Sequence, residues 1–204
     1  MKTYAEPVRA PSLVERKQES VREAIGAAAS RLFLDQGFQA ATIDDIAKAA
    51  GIGRRTFFRY FETKEDVVLW KFDQFARHVV TLIAARPARE QALVALQRAL
   101  TEASEFYNQD PAQTLALLKL TEATPSLYAQ QLKQQDRWKT WFAEALRKRT
   151  RASARSLAPE LVAAVGLEAA AIAVRRWVHQ PGANLSDLIA ASFVALRKIL
   201  PAKA

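Results

Sequence analysis

Arg54, Arg55, Thr56, Phe58, Arg59 and Tyr60 crowd into a single short stretch of the chain. Together they offer three guanidiniums, a hydroxyl, a phenol and an unsubstituted ring. A guanidinium can take a guanine edge bidentately or hold a phosphate, and threonine and phenylalanine suit the thymine methyl. If Phe57 and Phe61, one helical turn apart, are turned inward, the other six residues form the outer face of a rod sized for the DNA major groove. Solvation alone explains an exposed phenylalanine beside three arginines poorly.

No constellation with catalytic or metal-binding chemistry accompanies it. The chain has no cysteine, which excludes disulfides, thiol catalysis and thiolate metal sites. Its two histidines, His78 and His179, lie far apart. There is no Gly-x-Ser-x-Gly, phosphate loop or dinucleotide fingerprint. Asp44 and Asp45 look like paired carboxylates, but a place at a helix start accounts for them as caps. No catalytic residue, metal or cofactor is therefore expected, and the chain does not read as an enzyme.

These residues need elements to hold them. The chain has 204 residues, half of them hydrophobic, and a net charge of +9. That length suits a small module joined to a larger one, and that charge favours polyanionic partners. Residues 133–155 hold eight basic and two acidic side chains, with Arg147, Lys148, Arg149, Arg151 and Arg155 the densest group. They suit a solvated helix C-terminus or a rim for an anionic ligand. No apolar run approaches the ~20 residues that span a bilayer, so no membrane contact and a cytoplasmic location are expected. Residues 1–17 lack the apolar core of a secretory signal and read as a flexible basic arm. Its Arg9, Arg16 and Lys17 could add phosphate or minor-groove contacts.

The pattern is helical throughout, and strand-like alternation is absent. Val21–Gln36 carries an apolar face and stops at Gly37. Thr42 opens a short helix with a capping-box pattern to Asp45. Gly51-Ile52-Gly53 forms a turn, Gly51 with a positive φ and Gly53 as the cap of the next helix, Arg54–Phe61. Thr63–Asp66 repeats the capping box and opens a helix to about Ala84. Helices are expected over 89–107, 111–122 and 125–151, with Pro111 and Pro125 in first turns, then over 159–179 and 186–200, the last capped by Ser186. The fold expected is all-α, with nine helices in two domains: a three-helix DNA-binding module over 18–65 and a second helical domain over 66–204.

The run from Thr42 through Asp66, with Gly51-Ile52-Gly53 between two short helices and Arg-Arg-Thr-Phe-Phe-Arg-Tyr-Phe after it, resembles the N-terminal DNA-binding module of the tetracycline-repressor (TetR) family over about residues 20–70. The resemblance implies that Thr42, Tyr60 and Lys64 hold phosphate, and that Arg54, Arg55 and Thr56 read bases and adjacent phosphates. Two positions depart from the family pattern. Gly53 stands where Ser is common, and Phe58 where Tyr is common, which exchanges a hydroxyl contact for an apolar one. The resemblance also assigns effector binding and dimerisation to the domain over 66–204, with a homodimer formed through the last two helices, about 158–200. There, Ala163, Ala164, Gly166, Ala169, Ala170, Ala171 and Ala173 would permit close packing.

It further implies an effector pocket among the middle helices. Phe72, Phe75, Val79, Phe106, Tyr107, Leu118, Tyr128, Trp138, Trp141, Phe142 and Trp177 are its candidate walls, with Leu82, Leu117 and Leu120 beside them. His78, Lys119, Glu122 and Arg137 could supply polarity. Such walls suit an apolar or aromatic small molecule, or an acyl-CoA if the 147–155 cluster borders the pocket. The function implied is a ligand-responsive regulator, a repressor, that binds a pseudo-palindromic duplex operator as a dimer and leaves it when an effector binds. The alternative is a basic helical DNA-binding or adaptor protein with no effector.

Overall fold

A computed structural model describes residues 12–108, 110–180 and 182–199, the side chains of Phe106 and Asn108 excepted. Among these residues the regular structure is helical: α1 (Leu13–Gln36), α2 (Ile43–Ala49), α3 (Arg54–Tyr60), α4 (Lys64–Ala85), α5 (Ala92–Ala103), α6 (Glu105–Asn108), α7 (Pro111–Ala123), α8 (Pro125–Thr150), α9 (Ala158–His179) and α10 (Leu185–Ile199). All nine expected helices are present. The additional segment arises because the helix expected over 89–107 breaks at Ser104. The Ser104 amide donates to the carbonyls of both Leu100 and Thr101, and its hydroxyl donates to the Thr101 carbonyl at 2.6 Å. A serine that turns its hydroxyl on the nearby backbone competes with the helical ladder, and α6 is the single turn beyond it.

The chain divides into two units at Val68 and Leu69. In the first unit, Ile25, Ala28, Ala29 and Phe33 of α1 are buried with Phe38, Ile46, Ala47, Phe57 and Phe61. α1 begins earlier than expected. Its cap is Ser12, whose hydroxyl accepts from the Glu15 amide at 3.2 Å while the Glu15 carboxylate accepts from the Ser12 amide at 2.6 Å. That reciprocal pair satisfies two amides with no intrahelical partner, so 13–17 are helical and the arm expected there is not one. Arg16 and Lys17 are exposed on the first turns; Arg9 lies outside the described residues.

In the second unit, α8 packs along α9 and α9 along α10, with α5 against both α9 and α10. Leu96, Leu100, Leu127, Phe142, Leu146, Leu185 and Phe193 are fully buried there. Gly166 of α9 is what lets α5 approach, since a Cβ at that position would stand 2.4 Å from Leu96 Cδ2. α10 begins at Leu185, and the residue that caps it is not the expected Ser186 but Asn184, whose Oδ1 accepts from the Asp187 amide at 3.1 Å.

Much of the 147–155 basic cluster is tied to its own unit. Arg149 donates to the carbonyls of Pro87 at 2.6 Å and Glu90 at 2.9 Å. Arg147 pairs with Glu160, and Arg151 closes α8 in the left-handed region at φ 52°.

Candidate nucleic-acid interface and effector cavity

α2 is capped at both ends. The Thr42 hydroxyl accepts from the Asp45 amide at 3.1 Å, and the Asp45 carboxylate accepts from the Thr42 amide at 3.1 Å and the Thr42 hydroxyl at 2.6 Å. Those hydrogen bonds hold the Asp45 carboxyl below its ordinary range. At the other end the Ile52 amide reaches the Ala47 carbonyl at 3.0 Å and the Gly51 amide the Lys48 carbonyl at 3.1 Å. This Schellman pattern needs a left-handed residue, which Gly51 supplies at φ 67°. Gly53 then caps α3 from extended backbone, with no side-chain hydrogen bond.

α3 is anchored by Phe57, which is 0% exposed and lies 6.0 Å from the Phe61 ring. Arg54, Arg55, Phe58 and Arg59 therefore face outward, with Phe58 45% exposed. Thr56 and Tyr60 are half-buried at the margins. The cations are not equivalent. Arg54 pairs with Asp44 at 3.0 Å and lies over the Phe58 ring at 5.6 Å. Arg59 lies over the Tyr60 ring at 5.1 Å. Sequence reasoning missed Arg22 of α1, whose guanidinium reaches the same Tyr60 ring at 5.9 Å. Only the fold could reveal it, because α1 joins this face through space.

Lys64 is placed differently from the expectation. Its ammonium donates to the carbonyls of Phe38 at 2.6 Å, Gln39 at 3.3 Å and Ala41 at 3.1 Å, and lies 4.5 Å from the Phe38 ring centroid. An ammonium has three protons, and here all three go to the backbone that links α1 to α2. Lys64 is thus a clamp on that link rather than a cation held out for phosphate. Thr42, Arg54, Arg55, Thr56, Phe58, Arg59 and Tyr60 remain as the candidate face.

The second unit holds a cavity of about 90 Å³ lined by Phe72, Phe75, Tyr107, Leu118, Tyr128 and Trp138 among others. All six were candidate walls. Phe75 and Tyr107 stack with centroids 4.6 Å apart, and Trp177 backs Tyr107 at 6.4 Å. Burial pushes the Tyr107 hydroxyl's ionisation well above its ordinary range. Val79, Phe142 and Trp177 are core residues outside the lining, and Trp141 lines a separate groove. The side chain of Phe106 lies outside the described residues.

Besides the polar atoms of Tyr107, Tyr128 and Trp138, the cavity is lined by the polar side chains of Glu122, Gln131, Gln135 and Arg175, of which only Glu122 was anticipated. His78, Lys119 and Arg137 do not line it, and neither does the 147–155 cluster. Arg137 instead pairs with Asp73 at 3.3 Å, and the other Asp73 oxygen accepts from the Trp138 indole at 2.6 Å.

No group of three or more histidine, aspartate or glutamate side chains that could hold a metal occurs among the described residues. No helix among them is long and apolar enough to cross a membrane.

Residues 25–69 match the family model of bacterial regulatory proteins, tetR family. Residues 90–201 match that of the MftR C-terminal domain. The chain is 28% identical to the HTH-type transcriptional regulator TcmR of Streptomyces glaucescens, covering 94% of this chain and 88% of that protein. It is also 28% identical to MftR of Mycobacterium tuberculosis, named for the regulation of mycofactocin biosynthesis, over 89% of this chain and 92% of that one. Among solved structures, FadR of Thermus thermophilus, a repressor crystallised with lauroyl-CoA, superposes with a TM-score of 0.56 at 22% identity, covering 90% of this chain and 96% of that one.

Proposed function

The chain belongs to the tetR family of bacterial regulatory proteins, and from that premise we propose that it is a repressor. As a homodimer it binds a pseudo-palindromic operator through the outer face of α3, in the cytoplasm, and an effector in the second unit's cavity releases it. The observation that carries this reading is the helix-turn-helix itself. A Schellman turn at Gly51 and a wholly buried Phe57 force Arg54, Arg55, Phe58 and Arg59 outward on one short helix. A rod so charged enters a major groove, and two of them about 34–36 Å apart read successive grooves on one face of the duplex.

Release is a population shift. α4 carries Lys64 at its first residue and Phe72 and Phe75 in the cavity wall. A ligand that prefers one setting of α4 moves the equilibrium by its differential affinity alone. The aromatic wall suits an apolar or flat effector. The lauroyl-CoA in the Thermus thermophilus FadR complex favours a second reading, an acyl-CoA whose acyl chain enters the cavity. Against a large anionic head, the one arginine in the lining, Arg175, is paired with Glu168 at 2.9 Å.

Selection of bound duplexes from a random pool tests the proposal. It should return an inverted repeat bound about a thousandfold or more tighter than its scrambled counterpart at matched salt. Equal affinity for the two would leave only a general polycation, the reading that needs no operator.

A further inference from the structure

α4 and α8 leave between them a groove of about 660 Å³ that takes no part in the function proposed above. Its volume lies in the range of small-molecule sites, ~300–1,000 Å³. The floor is apolar: Val80 and Ala84 from α4, Ala145 from α8. Arg77 stands beside it with its guanidinium over the Trp141 ring at 5.0 Å, an arrangement that uses its flat face and leaves its N–H edge for other partners.

Two further cations line the groove, Lys148 and Arg149, against the single carboxylate of Glu144. Arg149 is only 9% exposed. Its terminal nitrogens go to the neutral carbonyls of Pro87 and Glu90, and its Nε has no hydrogen-bond partner among the described residues. Among those residues none of the three cations lies in an ion pair. Three cations against one carboxylate give the groove a net positive field, two of them, Arg77 and Lys148, exposed and so open to a ligand. That field favours an anion, and the apolar floor selects one with an apolar body.

We propose that this groove is a second small-molecule site, for an amphipathic carboxylate. The apolar body lies on Val80, Ala84 and Ala145, and Arg77 and Lys148 take the carboxylate. This site stands whether or not the DNA-binding reading does.

Decanoate is the probe, with decanol as its uncharged counterpart, each titrated into the full ¹⁵N-labelled chain. The indole cross-peak of Trp141, assigned by its absence from Trp141→Phe, should move and saturate with decanoate and stay still with decanol. Arg77→Gln combined with Lys148→Gln should weaken that titration about fivefold or more, at the few-fold per pair measured for exposed ion pairs. Both residues are exposed, so the double variant should fold, as an unchanged spectrum elsewhere would verify. The proposal is overturned if decanoate leaves the Trp141 peak unmoved, if it moves only the indoles of Trp138 and Trp177 at the inner cavity, if decanol binds as well, or if the double variant titrates like the parent.

Discussion

Among the guanidiniums of α3, Arg55 is distinguished by what it lacks. Arg54 is held by Asp44 and Arg59 rests on Tyr60, whereas Arg55 is exposed with no ion pair among the described residues. A side chain that need not leave a partner is the one most available to a base edge. Arg55→Ala should therefore cost about 1–3 kcal/mol of specific binding and relax the preference at one operator position, as measured by titration of matched and single-mismatch duplexes. Lys64 makes the opposite case. Lys64→Met strips three backbone carbonyls of their donor, which should lower stability by about 1–3 kcal/mol in urea unfolding while leaving the salt slope of DNA binding unchanged. A slope reduced by about 1 would restore Lys64 to the phosphate contacts. Asp45 adds a pH dependence. Its carboxyl is held below its ordinary value by the Thr42 hydrogen bonds, so its stabilisation is present above that ordinary value and is lost as pH falls through the lower folded one. Asp45→Asn should flatten that part of the acid limb in unfolding measured from pH 5 to pH 2.

At the scale of elements, the two glycines of the turn do opposite work. Gly51 sits at φ 67°, where a Cβ meets nothing within 4 Å, so the penalty of Gly51→Ala is backbone strain alone, about 1–2 kcal/mol. Gly53 is extended and equally open. Gly53→Ser there should gain a few tenths of a kcal/mol from the missing cap. Thermal unfolding of the two variants should move in opposite directions. The elements legible in the sequence were those with local signals: the Thr42–Asp45 and Thr63–Asp66 boxes, the Gly51 turn, the prolines that open α7 and α8. Ser12–Glu15 carried the same signal and was hidden by the proline and charge around it. What local signals could not show is where long side chains end. Lys64 turned inward because three carbonyls converge from the α1–α2 link, and Arg149 because two converge from the turn before α5. Neither convergence is written in the residues next to them. For the same reason the aromatic residues of the cavity were legible by type, but not the partition that sent Phe142 and Trp177 to the core and Trp141 to another groove.

The whole molecule that we propose is a dimer, and the structure alters which residues would make it. Ala163, Gly166, Ala170 and Ala173, expected to face a partner, are buried within the second unit itself. What α9 and α10 leave outward is larger: Ile172, 41% exposed, with Val165, Leu196 and Ile199 along a shallow groove of about 360 Å³. An exposed apolar strip of this kind suits an association surface. Ile172→Glu tests it cleanly, because an exposed position tolerates glutamate within about 0.5 kcal/mol in the single chain, whereas a lone carboxylate buried between two chains has to lose its water without a partner. Sedimentation equilibrium at micromolar concentration should show a dimer for the parent and a monomer for the variant, with the thermal transition of the monomer still cooperative. Operator affinity should fall steeply, and its salt slope to about half, since one α3 rather than two then neutralises phosphate. A variant that remains dimeric, or a parent that is monomeric, would place the interface elsewhere. A monomeric variant with the parent's full salt slope would show that one chain alone makes all the phosphate contacts.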